Sequence, residues 1–103
     1  MTLREKQSRF VHMIAMLILH AEHLGYTLSF GDAYRSPRVK YGLRNSLHRK
    51  RLAIDLNLFK NGRYLTSTKA HEPLGHYWES IGGTWGGRFD DGNHYSLEHN
   101  GVK

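Results

Sequence analysis

The sequence predicts an α+β fold, a small antiparallel sheet combined with a long N-terminal helix and a second, shorter helix. Three observations predict it. Phe10, Ile14, Leu17, Ile18, Ala21 and Leu24 recur at spacings of three and four, the apolar stripe of one amphipathic helix. Leu52, Ile54, Leu56 and Leu58 alternate with Ala53, Asp55 and Asn57, the period of a strand that buries one face. Leu74, Tyr77, Trp78 and Ile81 return to helical spacing. With 103 residues the chain is expected to form one domain, 1–103, whose single core would gain noticeably from a bound metal.

Taken in order, Thr2-Leu3-Arg4-Glu5 reads as a capping box, with Thr2 accepting from the backbone and Glu5 reaching back. Gly25 is placed to end the helix. His12, His20 and His23 fall mostly off its apolar stripe and are expected to be structural or solvent-facing. A basic end and a rich apolar face also suit a helix lying on a membrane surface. A membrane span is excluded, because Met13 to Leu19 gives seven uninterrupted apolar residues where about 20 are needed.

Tyr26 to Phe30 alternates apolar with polar, so a strand is expected there, running into Gly31-Asp32-Ala33-Tyr34 with Arg35 at its end. Pro37 stops it, and Val39 to Asn45 reads as loop. After a polar turn holding Ser46 and His48, the strand over Leu52 to Phe59 directs Asp55 away from its buried face. Asn61-Gly62 marks a hairpin, with Tyr64 and Leu65 as a brief returning strand. Thr66 to Lys69 is a polar connection, Pro73 suits the first turn of the second helix, and Gly82-Gly83 ends it. His71 and His76 lie off that helix's apolar face and are not expected to be ligands.

Thr84 to Phe89 lacks the strand-then-helix setting of a phosphate loop. It is expected to be a turn that packs Trp85 and Phe89 beside the functional site, with glycine permitting close backbone approach. In the last segment Tyr95 and Leu97 alternate with His94, Ser96 and Glu98. A short strand would bury the first pair and present the other three on a polar face.

The chain has no cysteine, so disulfides and thiolate metal sites are excluded and a metal must be held by imidazole and carboxylate. The formal charge is +6, and between Arg35 and Arg51 stand seven basic residues and no acid. That rim suits a polyanion or a carboxylate-bearing peptide, or simply keeps the protein soluble. Arg4, Glu5, Lys6 and Arg9 come first and His12 and His20 interrupt the apolar run, so no secretory signal is expected. The product is expected to be made in the cytoplasm, and would need help to reach a cell wall.

His48 and Asp55 are two plausible ligands for a zinc ion, which accepts nitrogen and oxygen alike. If the two strands are sheet neighbours, His94 becomes the third. Three protein ligands leave the fourth tetrahedral position open, the arrangement of catalytic sites. Asp91, three residues before His94, is close enough to face that position; Asp90 is one residue out of place. Ser46 either hydrogen-bonds substrate or a ligand, or caps its turn. Glu98, predicted on the face of His94, is a candidate to support a ligand.

Ser46-x-His48, six intervening residues, Asp55 within a strand, and much later Asp91-x-x-His94 together resemble the zinc peptidases that cut peptidoglycan stem peptides. These are the D-Ala-D-Ala carboxypeptidases and L-alanyl-D-glutamate endopeptidases, small phage endolysins among them, which share a fold with the hedgehog signalling domain. Gly31 to Arg38 and Tyr77 to Phe89 look like phage members, so the likeness covers roughly residues 1 to 100. The resemblance implies zinc at His48, Asp55 and His94, Asp91 as general base, and Arg35 as the guanidinium that holds a substrate carbonyl or carboxylate. Carboxypeptidase members tend to carry Glu at the base position and several phage endopeptidases carry Asp, so Asp91 favours an endopeptidase, with a D-Ala-D-Ala carboxypeptidase of the same family as the alternative. It further implies a stem-peptide partner, a monomer, no nucleic acid, and action on the wall after release. Two rivals stay open: a metal-dependent nuclease, which the basic rim would serve, and a zinc-binding module without turnover.

Overall fold

The structure, a computed structural model, describes residues 1–34 and 46–103. Helix α1 (Leu3–His23) opens on the expected box: the Thr2 hydroxyl accepts from the Glu5 N–H at 3.1 Å, and the Glu5 carboxylate accepts from the Thr2 N–H at 2.8 Å. Gly25 leaves the helix at φ +87°, where any side chain would be strained. The chain then turns into β1 (Thr27–Phe30), which is followed by β2 (Ala53–Lys60), β3 (Arg63–Leu65), helix α2 (Glu72–Ser80), β4 (Thr84–Trp85) and β5 (His94–Ser96). Short 3-10 turns lie at Leu47–Lys50, Lys69–His71 and Gly86–Phe89.

The five strands form one antiparallel sheet in the order β1-β2-β5-β4, with β3 also paired to β2. β2 is long enough to serve three partners. Its first half pairs with β5, matching Ile54 to Tyr95 and Asp55 to His94, while its second half pairs with β1 and β3. Side chains alternate across a strand, so Leu52, Ile54, Leu56 and Leu58 all go to one face and are fully or nearly fully buried. Phe10, Met13, Ile14, Leu17 and Ala21 of α1 join that core, together with Leu74 and Trp78 of α2. The rings of Phe10 and Trp78 meet edge-on at 5.8 Å, a favourable quadrupole arrangement. Asp55 and His94, placed opposite each other, therefore share the other face of the sheet.

Three expectations are corrected. Residues 84–89 do not form a simple turn: Thr84 and Trp85 pair with Ser96 and Tyr95 as β4, which supplies β5 with a partner on its outer edge. The polar face of β5 is not open, since His94 and Ser96 are both buried. What covers that face is the His48 ring, edge-on to the His94 ring at 5.2 Å, while the Ser96 hydroxyl donates to the Thr84 carbonyl at 3.4 Å. Nor does the strand reach Leu97, which is half-buried beyond its end, or Glu98, which is exposed. Phe30, whose register with Leu56 puts it on the core side, stays 65% exposed because β1 is the edge strand.

Candidate metal centre

His48 is delivered by the 3-10 turn Leu47–Lys50. Ser46 caps that turn, its hydroxyl accepting from the His48 N–H at 3.3 Å, and Arg51 leaves it in the left-handed region at φ 57°. Leu47 and Leu52 anchor the turn in the core, so the His48 ring is held buried against the sheet. Asp55 comes from β2 and His94 from β5, directly across the ladder. Of the described residues, these three are brought together as a group able to hold a metal, with one ligand atom from each lying within 4.8 Å of the others.

The spacing of these atoms fits a cation better than hydrogen bonds. Asp55 Oδ1 lies 3.4 Å from His48 Nε2 and 3.6 Å from His94 Nδ1, beyond the ~2.9 Å favoured for N–H···O. Ligands about 2.1 Å from the centre of a tetrahedron are roughly 3.4 Å apart. Among the described residues, buried Asp55 Oδ1 has no hydrogen-bond partner, and neither do His48 Nδ1 and His94 Nε2. Buried polar atoms are almost always satisfied, and a cation seated among the facing atoms would satisfy Asp55 Oδ1. Burial pushes the Asp55 carboxyl up, but the facing rings of His48 and His94 and their charge outweigh it and hold the group well below the usual carboxylate range. A carboxylate that stays ionised with two imidazoles, and no thiolate, is a donor set that zinc accepts.

Asp91 sits at the rim. Its Oδ2 is 3.9 Å from His94 Nδ1 and its side chain is half exposed, so it borders the trio with one side open to solvent. The loop that carries it is tightly built. The Asp91 N–H donates to the Gly86 carbonyl at 2.9 Å, and the His94 N–H to the Asp91 carbonyl at 3.1 Å. A side chain at Gly86 would run into the Asp91 carbonyl and the His94 Cβ. Trp85 lies under the same loop, its indole N–H donating to the Gly92 carbonyl at 2.8 Å. Phe89 meets the His94 ring at 5.8 Å, beside the site as expected, whereas the hydrogen bond of Trp85 goes to the loop.

The remaining expected residues divide clearly. Arg35 lies outside the described residues. Asp90 is exposed at φ 64°, ending the 3-10 turn. Glu98 is exposed past the end of β5, its backbone carbonyl accepting from Lys6 Nζ at 3.5 Å. His20 stacks on Tyr77 at 3.9 Å. His71, expected off the buried side of its helix, is almost fully buried ahead of α2, with Nδ1 2.8 Å from the Tyr95 hydroxyl. Burial holds the His71 imidazole down at about 4 and pushes the Tyr95 hydroxyl up. This pair, on the core side of β5 directly behind His94, was not anticipated; only the apolar run of Leu74, Tyr77 and Trp78 just after His71 hinted at burial.

A second unanticipated support lies across from Asp55. The Gly31 N–H donates to the Asp55 carbonyl at 2.7 Å, and the Asp55 N–H donates to the Asp32 carbonyl at 2.9 Å. Two residues thus oppose one, as in a β-bulge, a device that re-aims a side chain beside a site. A Cβ at Gly31 would stand 3.1 Å from both the Cβ and the carbonyl oxygen of Asp55. The signal was in the sequence, as the glycine that opens Gly31-Asp32-Ala33-Tyr34.

In comparisons with known proteins, the sequence model of a family described as D-alanyl-D-alanine carboxypeptidase matches residues 41–97, a span holding His48, Asp55, Asp91 and His94. No curated protein sequence matches the chain.

Proposed function

We propose that this chain, which belongs to the D-alanyl-D-alanine carboxypeptidase family, is a zinc-dependent endopeptidase of the phage endolysin type that cuts peptidoglycan stem peptides between L-alanine and D-glutamate. The observation that carries the proposal is the trio itself: two buried imidazoles and an ionised carboxylate, at metal-ligand spacing, with a second carboxylate on the open side. His48, Asp55 and His94 would hold the ion. Bound there, zinc supplies a Lewis acid that polarises a carbonyl and acidifies water toward neutral pH.

The chain's own residues do the rest. Asp91, half exposed beside His94, takes the proton of the attacking water on its carboxylate and passes it to the departing amine. Arg35 holds the substrate carbonyl or carboxylate with a planar fork. Ser46 keeps the turn that aims His48. Aspartate at position 91, where the carboxypeptidases of this resemblance tend to carry glutamate, supports endopeptidase action. The protein works as a monomer, made in the cytoplasm and acting on the wall after release. No helix among the described residues is long and apolar enough to cross a membrane.

Digestion of purified sacculi, with mass analysis of the fragments, tests this reading. New L-alanine C-termini and D-glutamate N-termini are expected with zinc, and none after chelation. Asp91→Asn should lose about 100-fold or more of the rate while still binding zinc by calorimetry. Full activity in that variant, or termini at no stem-peptide bond, would overturn the assignment.

A further inference from the structure

The face of the sheet that holds Asp55 continues past it, and what stands there is organised. Along β2 the same side carries Asn57 and then Phe59, and the registers Ser29↔Asn57 and Phe59↔Tyr64 add neighbours from β1 and β3. The Asn57 amide N–H donates to the Ser29 hydroxyl at 3.2 Å, and its carbonyl accepts from the Tyr64 hydroxyl at 3.4 Å. The carboxamide is therefore held from both sides, across three strands. Tyr64 is in turn set by the Phe59 ring, 5.1 Å away and stacked. Ser29 and Tyr64 are exposed and Asn57 is half-buried, so the row faces solvent.

We infer that Asn57, held by Ser29 and Tyr64, is a subsite for the main chain of an extended peptide, two residues from the bond that is cut. The chemistry identifies the ligand. A primary carboxamide has two N–H donors and two acceptor lone pairs, and here one of each is already taken. The remaining donor and acceptor, fixed side by side, complement the C=O and N–H of one extended residue. Nothing in the row is charged, so it reads the peptide group and not a carboxylate or an amine. The distance fits as well: Asn57 is two strand residues from Asp55, about 7 Å, the length of two residues of an extended peptide.

This inference rests on the peptidase reading and sharpens it, since the substrate must then extend beyond the two residues that flank the scissile bond. The test compares zinc-loaded wild type and Asn57→Ala on two substrates: a doubly capped dipeptide spanning the bond cut, and the full stem pentapeptide. Wild type is expected to favour the longer substrate in kcat/KM by about tenfold, the worth of one or two neutral hydrogen bonds. In Asn57→Ala that ratio should fall toward one. Ser29→Ala and Tyr64→Phe, which remove one support each at exposed positions, should give intermediate ratios, and they decide the matter if Asn57→Ala does not fold. A wild type that cuts both lengths equally, or variants that slow both substrates in the same proportion, would overturn the subsite and leave the peptidase reading standing. No cleavage of either length by zinc-loaded wild type would overturn both.

Discussion

Adding zinc to the metal-free protein should raise its melting temperature, and changing Asp55 to asparagine should remove most of that rise. The geometry sets the expectation. The three facing side chains are already within 4.8 Å of one another, on a turn and two paired strands, so the ion meets a site that folding has assembled. Binding to the folded chain alone then stabilises it by about 2.7 kcal/mol when free zinc is 100 times the dissociation constant. For a domain of this size each kcal/mol corresponds to roughly 4–8 °C, so a rise of about 10–20 °C is expected. Asp55→Asn keeps the shape and removes the only anionic ligand. Because the metal-free carboxylate sits half-buried between two rings, the variant should still fold, and its rise with zinc should shrink to a few degrees. Scanning fluorimetry with and without chelator reads the shift, and calorimetric titration gives the affinity. A wild type whose melting temperature zinc leaves unmoved, or a variant that gains as much as wild type, would refute the trio as the metal site.

Three further outcomes follow from the supports around the site. Trp85→Phe keeps an aromatic ring but leaves the buried Gly92 carbonyl without its donor; it should cost about 1–3 kcal/mol in urea denaturation and lower kcat more than zinc affinity, since the loop it frees carries Asp91. Gly31→Ala should weaken zinc binding by about tenfold or more through the 3.1 Å approach to Asp55, with little change in the melting temperature of the metal-free protein. His71, at about 4 in the folded state against 6.5 for the free side chain, is neutral in both states above pH 6.5. As the pH falls, the unfolded chain takes up the proton first, so stability is lost between about pH 6.5 and 4, by at most ~3 kcal/mol. His71→Gln, which can still bond the Tyr95 hydroxyl but does not titrate, should flatten that part of the denaturation profile, and an unchanged slope would count against it.

What could be read from the sequence was whatever has a period or a fixed local geometry. The helix over Leu3–His23, the strand that buries Leu52 to Leu58, and the hairpin at Asn61-Gly62 all follow from rules that act within a few residues. The approach of Asp55 to His94 was legible only as a conditional, because the register of β2 against β5 depends on contacts 39 residues apart in the chain. β4 cannot be read from the sequence because two residues have no period to show; Thr84 and Trp85 become a strand by pairing with Ser96 and Tyr95 at the edge of β5. His71 illustrates the same limit in chemical form. It stands three residues before Leu74 and seven before Trp78, a spacing that carries the apolar stripe of α2 back into the 3-10 turn, but the Tyr95 hydroxyl, which gives its ring a partner and makes burial tolerable, comes from a strand distant in the chain. That partner belongs to the strand residue next to His94. The polar pair thus ties the turn at Lys69–His71 to the same strand that presents a metal ligand, and the site is held from behind by a contact whose two halves look unremarkable when read apart.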